Sequence, residues 1–205
     1  MSSLQDIHAY EVLLASRSPR RAQLMSDLGI PFRVVDTGHE EEDYPPHLQG
    51  GEIARYLADH KSDAYREELE AHQILLTADT VVWFNGRELG KPADEKESFE
   101  MIRELSGRTH QVYTGVCLRT HRSRTSFFVL TDVTFSRLDR EEIIYYIRKF
   151  KPYDKAGGYG IQEWIGTIAV EKIVGSYFNV MGLPVQRVYK EIKSLIFPMP
   201  PSAAS

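Results

Sequence analysis

Residues 74–86 have the sequence ILLTADTVVWFNG, an apolar strand pattern interrupted by polar residues at its centre. Asn85-Gly86 is the dipeptide most typical of a tight hairpin turn, so the strand is predicted to reverse direction there. The interruption contains Asp79, and aspartate is rare inside strands. Because an unpaired buried carboxylate is costly, Asp79 is predicted to bind a metal or to activate water. The alternative is a hydrogen-bonded core aspartate or a bulge.

Strand and helix patterns are mixed along the rest of the chain. Strands are predicted at residues 11–16, 30–35, 111–119 and 126–138, with one or two more at 165–174. Helices are predicted from Pro19 to Gly29 and at residues 52–69, 94–105, 139–150 and 184–196. The hairpins exclude a purely parallel sheet. We therefore expect an α/β protein with a mixed central sheet flanked by helices; two lobes with a cleft between them fit this pattern but are not shown by it.

Length and composition narrow the class of protein. The 205 residues are expected to form one α/β domain at 11–197, after an N-terminal extension at 1–10 and before a disordered tail at 198–205. A net charge of −4 argues against a dedicated nucleic-acid binder. The single cysteine, Cys117, can form neither an intrachain disulfide nor a cysteine zinc cluster. No signal peptide or membrane-spanning run is recognisable, so a cytoplasmic protein is expected.

The segment Ser16-Arg17-Ser18-Pro19-Arg20-Arg21 leads from a predicted strand into a predicted helix. Ser18 is suited to the N-cap and Pro19 to the first helical position. A helix start with adjacent arginines is a suitable site for a phosphate group, because the helix dipole and the guanidinium groups both favour an anion. The alternative is a capped helix with solvated arginines.

A glycine-rich segment, residues 153–162, is named the glycine loop here. Its glycines allow the backbone to approach a ligand closely, and Asp154, Lys155 and Gln162 supply charge and hydrogen-bonding groups. The alternative is a mobile loop. Lys61 and Lys91 are, by themselves, more typical of surface lysines. The acidic run 40–43 is typical of a solvated segment, although one of its carboxylates could join Asp79 on a divalent cation.

In order along the chain, these segments resemble the Maf family of nucleoside triphosphate pyrophosphatases. The resemblance covers residues 11–195. Its motifs are Leu13-Leu14-Ala15-Ser16-x-Ser18-Pro19-Arg20-Arg21, Leu57-Ala58-x-x-Lys61, Ala78-Asp79-Thr80-Val81-Val82, Gly90-Lys91-Pro92, Leu105-Ser106-Gly107-x-x-His110, Asp154-Lys155-Ala156-Gly157 with Ile161-Gln162, and Asn179-Val180-Met181-Gly182-Leu183-Pro184. It implies an α/β fold related to inosine triphosphate pyrophosphatases (Ham1), and hydrolysis of a nucleoside triphosphate to the monophosphate and pyrophosphate. A divalent cation, Mg²⁺ or Mn²⁺, is implied as cofactor.

The resemblance also implies roles for single residues. Asp79 matches the proton acceptor. Asp79 and one carboxylate of the acidic run 40–43, for which Glu42 is the candidate, are expected to hold the metal. The expected substrate-binding residues are Ser16, Ser18, Arg20, Arg21, Lys61, Thr80, Lys91, Asp154, Lys155 and Gln162. Arg20, Thr80 and Gln162 match positions that select the base in the branch that prefers dTTP and UTP. Arg17 and Trp83 depart from the family pattern.

Other functions remain open on the sequence. The substrate is expected to be a nucleoside triphosphate, with no nucleic-acid or membrane partner and with a possible homodimer. One alternative is a house-cleaning pyrophosphatase that acts on ITP, 7-methyl-GTP or another modified nucleotide. Another is a nucleotide-binding regulator of cell division without turnover; the presence of Asp79 favours an enzyme over this regulator.

Overall fold

The computed structural model describes residues 4–38 and 43–197. Within them, seven strands belong to one sheet. The strands are β1 Glu11–Leu14, β2 Phe32–Val34, β3 Gln73–Phe84, β4 Arg87–Leu89, β5 Thr109–Arg119, β6 Arg124–Phe135 and β7 Val170–Val174. The α-helices are α1 Leu4–Ile7, α2 Pro19–Leu28, α3 Gly51–Ala64, α4 Glu95–Leu105, α5 Arg140–Phe150, α6 Trp164–Ala169, α7 Tyr177–Met181 and α8 Val185–Ile196, and a 3₁₀ turn spans Ala156–Gly158.

The sheet has the order β2-β1-β3-β5-β6-β7, with β4 also beside β3. β1 pairs in parallel with both β2 and β3, whereas the other pairs are antiparallel. The prediction of a mixed central sheet flanked by helices is therefore confirmed. Asn85 and Gly86 both adopt positive φ angles, 50° and 77°, between β3 and β4, as the hairpin prediction required.

The central strand β3 has different neighbours on its two edges. On one edge, β5 pairs with it from Leu75 to Trp83. The other edge is shared by β1, whose register ends at Leu76, and β4, whose register begins at Val82. Among the described residues, no strand pairs with 77–81 on that edge. We call this gap the notch.

The notch also separates apolar clusters on one face of β3. Ile74 and Leu76 pack in a cluster with residues of α2 and α8. Val82 and Phe84 pack in another cluster, with residues of α4 and α5. Thr80 lies between them on the same side of the strand, since side chains alternate along it. The apolar core is thus interrupted by a polar position at the notch.

On the opposite face, α3 packs directly against the sheet. Gly115 of β5 is paired with Asp79, and a Cβ at Gly115 would lie 2.1 Å from the carbonyl oxygen of Ala54. The Thr77 hydroxyl donates to the Ala58 carbonyl at 2.6 Å. This close approach brings Lys61, at the last turns of α3, within reach of β3.

Several local predictions need correction. Residues 165–174, predicted as strand, are α6 followed by β7; Ile165 and Ala169 are buried at helical spacing, which their β-sheet-favouring neighbours obscure. The helix predicted to reach residue 69 ends at Ala64, because Tyr65 turns to an extended conformation and packs with Leu13 and Leu75.

The structure describes part of the predicted N-terminal extension. The extension at 1–10 contributes α1, whose Ile7 is buried in the cluster beneath α2 and α8. The tail predicted at 198–205 lies outside the described residues. No helix in the described ranges has the length and apolarity needed to cross a bilayer.

His110 is buried in the core at the start of β5. Its Nε2 lies 2.7 Å from the Tyr159 hydroxyl, and its ring meets Phe135 edge-on. Burial lowers the pKa of His110 from 6.5 to about 4. His110 is therefore a neutral imidazole in this core.

We predict that acidification destabilises the protein through His110. His110 takes up a proton near pH 6.5 in the unfolded chain but only at about pH 4 in the folded protein. The free energy of unfolding is therefore at its full value above pH 6.5 and falls as the pH drops from 6.5 towards 4. The full loss is about 3 kcal/mol. Urea unfolding of wild type and His110→Gln at several pH values measures it, and a pH slope equally steep in the variant would contradict the prediction.

Candidate functional site

A cavity of about 480 Å³ opens at the notch. Its wall contains Ser16, Ser18, Arg20, Arg21, Lys61, Asp79, Thr80, Lys91, Asp154, Lys155 and Gln162. The structure therefore brings together the predicted site residues from five separate segments of the chain, except Glu42, which lies outside the described residues. Their individual roles remain predictions.

The Arg21 side chain occupies the notch and hydrogen-bonds the unpaired edge of β3. Its Nη1 donates to the Ala78 carbonyl at 2.9 Å, its Nε to the Gly182 carbonyl at 2.7 Å, and its Nη2 to the Thr80 hydroxyl at 3.1 Å. A backbone carbonyl at an unpaired strand edge needs a donor, and here the guanidinium supplies it. Arg21 was expected to bind phosphate, but these bonds make it first a structural link between β3 and the segment after α7.

The hydroxyl of Thr80 has a defined bonding direction. Thr114 donates its one hydroxyl proton to the Asn179 carbonyl at 2.9 Å, so in the 2.9 Å contact between the two threonines Thr80 must be the donor. Thr80 also accepts from Arg21. What remains on Thr80 for a ligand is therefore acceptor capacity alone.

Asp79 lies on the other face of β3 and pairs with Lys61. The Lys61 ammonium donates to Asp79 Oδ1, and both side chains are mostly buried. Helical side chains point back towards the helix N-terminus, which directs Lys61 from the end of α3 towards Asp79. The sequence left two alternatives for Asp79: a functional carboxylate or a hydrogen-bonded core residue. The structure has features of both, because Asp79 is paired with Lys61 and also lines the cavity.

The strand-to-helix turn and the glycine loop face each other across the cavity. Arg20, in the first turn of α2, lies 3.5 Å from the Asp154 carboxylate. Ser18 occupies the N-cap of α2 without a side-chain capping bond; instead, its N–H donates to the Ser16 hydroxyl at 3.2 Å. The hydroxyl and guanidinium groups therefore stand at the helix start, where the dipole favours an anion.

Some residues of the site were missed by the sequence analysis. Glu88 of β4 lines the cavity and accepts from the Tyr44 hydroxyl at 2.6 Å, and burial together with this bond raises the pKa of Tyr44 to about 12. Glu163 contacts Lys155 from just after the glycine loop. Glu88 could have been recognised from the hairpin after β3, because the hairpin returns the chain to the edge of β3 that contains the notch. Nothing local distinguished Glu163.

Metal-ligand clusters are absent from the part of the chain that the structure describes: no three His, Cys, Asp or Glu side chains gather around one point. The carboxylates lining the cavity are Asp36, Asp79, Glu88 and Asp154. This donor set fits a cation that takes one protein carboxylate and several oxygens of a bound phosphate, which is usual for Mg²⁺.

Six cationic side chains line the cavity, on a mixed sheet flanked by helices. These features are typical of an α/β protein whose ligand is a small polyanion. Comparison with known proteins then gives the family: a sequence profile of the Maf family, described as "Maf-like protein", matches residues 11–195. The chain belongs to the Maf family, which confirms the resemblance inferred from its motifs.

Relatives match over almost the whole chain. A protein of Phocaeicola vulgatus is 53% identical over 192 residues, covering 94% of this chain and 100% of its own length. One of Bacteroides fragilis is 49% identical with the same coverage, and one of Flavobacterium johnsoniae is 46% identical over 94% of this chain and 98% of its own. Each is named dTTP/UTP pyrophosphatase.

Among solved structures, a HAM1 protein from Coxiella burnetii is similar at 16% identity with a TM-score of 0.43. The match covers 64% of this chain and 75% of that protein.

Arg21 and Arg20 are adjacent, and we predict that the same substitution destabilises the protein much more at Arg21 than at Arg20. Arg21→Gln leaves the Ala78 and Gly182 carbonyls without their donor, so the free energy of unfolding falls by about 3 kcal/mol. Arg20→Gln removes a partly exposed ion pair and costs less than about 1 kcal/mol. Urea denaturation of both variants checks the difference; equal losses would show that Arg21 is not a structural link.

Proposed function

We propose that the protein is a nucleoside triphosphate pyrophosphatase that hydrolyses dTTP and UTP to the monophosphate and pyrophosphate. The observation that carries the proposal is Asp79, paired with Lys61, in the wall of a cavity lined by six cationic side chains. Relatives named dTTP/UTP pyrophosphatase, one of them 53% identical over nearly the whole chain, support the substrate.

The charge in the cavity suits a triphosphate with its metal. Six cationic side chains face four carboxylates there, so the wall carries a modest positive excess. A triphosphate has about four negative charges, and a divalent cation neutralises two of them. Arg20, Lys91 and the start of α2 are the donors that we assign to the phosphates. Arg20 pairs with the Asp154 carboxylate, whereas Arg21 is bonded to backbone carbonyls.

The divalent cation, Mg²⁺ or Mn²⁺, would be held by Asp79 together with phosphate oxygens, and it would neutralise charge and lower the pKa of a bound water. A second carboxylate from the acidic run, Glu42, remains part of this proposal. Asp79 has two carboxylate oxygens, and Lys61 donates to Oδ1. The other oxygen is suited to a metal or to the proton of the attacking water.

In the reaction, a water oxygen bonds to the α phosphorus and the bond to the bridging oxygen of pyrophosphate breaks. Asp79 takes the proton of the water. Pyrophosphate leaves with the electron pair, and the cationic wall stabilises its charge. Lys61 holds Asp79 in place and keeps a positive charge beside the reacting centre, because α3 is fixed against Gly115.

For the choice of base, we assign the main role to Gln162, whose side-chain amide has both a donor and an acceptor group. Its amide is exposed on the cavity wall and can both donate and accept. Thr80 contributes an acceptor, and Arg20 borders the same space. A pyrimidine edge that pairs with Gln162 would be preferred, since the wrong base leaves a polar group unpaired.

A homodimer and a cytoplasmic location stay predictions.

We predict that Asp79→Asn abolishes turnover while the fold is retained. Wild type is expected to release monophosphate and pyrophosphate from dTTP and UTP in the presence of Mg²⁺ or Mn²⁺, and the variant is expected to lose at least about 100-fold in kcat. Chromatography of the products from a panel with CTP, GTP, 7-methyl-GTP and ITP measures this. Asp27→Asn, the same change on an exposed turn of α2, is the control.

Failure of that panel has distinct meanings. Preference for a purine nucleotide would keep the reaction and reject the proposed substrates. Nucleotide binding with no turnover of any substrate would reject the enzyme in favour of a regulator.

We predict that Gln162→Glu changes the ranking of substrates. The carboxylate removes the donor of the amide and adds a charge near the base, so kcat/KM for dTTP and UTP falls by about tenfold or more relative to GTP. Gln186→Glu, on the exposed side of α8, carries the same charge change and controls for it. An unchanged ranking would show that Gln162 does not select the base.

A further inference from the structure

Lys155 of the glycine loop is paired differently from the other cations of the cavity. Its side chain is only 8% exposed, and its Nζ lies 2.7 Å from Asp154 Oδ1 and 3.1 Å from Glu163 Oε1. Two carboxylates around one ammonium neutralise its charge. Lys155 is therefore less suited to attract a phosphate than Arg20, and better suited to fix the loop in which it lies.

Glu163 is held in turn by a buried tyrosine. Its second carboxylate oxygen accepts from the Tyr146 hydroxyl, and the same hydroxyl accepts from the Gly160 N–H at 3.0 Å. Tyr146 is fully buried on α5. Burial, and then the bond to Glu163, raise the pKa of Tyr146 above its ordinary value, so the hydroxyl keeps its proton and remains a donor.

The loop geometry leaves little room for another arrangement. A Cβ at Gly160 would lie 2.9 Å from the carboxyl carbon of Glu163, so Glu163 closes directly over the Gly160 backbone. In the middle of the loop, the Gly157 N–H donates to the Gly90 carbonyl at 2.9 Å. Gln162 lies between Gly160 and Glu163, and its position on the cavity wall depends on both.

We propose that Glu163 and Tyr146 are positioning residues which fix the glycine loop through Lys155 and Gly160, and thereby set the preference for the base that Gln162 contacts. The inference rests on the proposed function, since it deepens the specificity of the same cavity. Neither side chain is needed at the phosphates for this role: Tyr146 acts from the core and Glu163 from behind the loop. The effect is transmitted by a continuous chain of hydrogen bonds from α5 to the cavity wall.

The experiment compares Tyr146→Phe and Glu163→Gln with the matched control Tyr145→Phe. Tyr145 is the neighbouring tyrosine on α5, is 45% exposed and contacts Lys149 instead of the loop. Two readouts are taken: hydrogen exchange of the backbone amides at 154–163 in the ligand-free protein, and calorimetric affinity for the α,β-imido analogues of dTTP and GTP with Mg²⁺. The analogues resist cleavage between the α and β phosphates, so binding is measured without turnover.

We expect hydrogen exchange in the glycine loop to rise by about tenfold or more in both variants. Tyr146→Phe removes the hydroxyl that bonds Glu163 and Gly160, and Glu163→Gln removes the charge that pairs with Lys155. Affinity for the dTTP analogue is expected to fall about tenfold while that for the GTP analogue is unchanged. The control variant is expected to match wild type in both readouts. Circular dichroism and thermal unfolding of each variant show that the fold is retained.

Unchanged loop exchange in both variants would overturn the positioning role. Faster exchange with equal losses of affinity for both analogues would overturn the link to base preference. Failure of wild type to bind either analogue is a different result: it would overturn the proposed function, and with it the base preference, while the exchange data would still decide whether Glu163 and Tyr146 hold the loop.

Discussion

The notch on the edge of β3 is the constraint on which the rest of the structure depends. A strand in a protein interior needs hydrogen-bond partners along both edges, yet among the described residues no strand covers 77–81 on the β1 side. Arg21 meets that requirement at the Ala78 carbonyl. The gap could not be filled by a longer β1 or β4 without loss of the cavity. The ends of those two strands are therefore as much a part of the site as the side chains that line it.

The electrostatics of the cavity follow from what each cation is paired with. Arg21 is bonded to backbone carbonyls, Lys61 to Asp79, and Lys155 to two carboxylates, whereas Arg20 shares a partly exposed carboxylate with Lys155. These partners keep like charges from repelling one another while the cavity contains no ligand. They also divide the cations into those that hold the walls in place and those whose partners an incoming anion can replace.

The sequence predicted the elements that local chemistry determines. The β3 hairpin at Asn85-Gly86 is an example, and so is the capped helix that begins after Asp139, where both bonds of a capping box are present. Asp79 was recognisable because a carboxylate in an apolar strand is unusual. Arg20 and Arg21, by contrast, are adjacent and chemically identical, and only partners from distant segments separate their roles. The same holds for Glu163, whose partner Tyr146 is 17 residues earlier on a helix that carries no sign of the contact.

The bond between Arg21 and the Gly182 carbonyl joins residues that are 161 positions apart. The antiparallel strands β3, β5 and β6 pair with near neighbours in sequence, so they can form early during folding, whereas β1 must close onto β3 across two helices and the cavity must await the segment after α7. A chain still emerging from the ribosome can therefore form its central strands well before it has a cavity. Nucleotide can stabilise this protein only once the segment after α7 has joined the cavity wall, because the wall is incomplete without it.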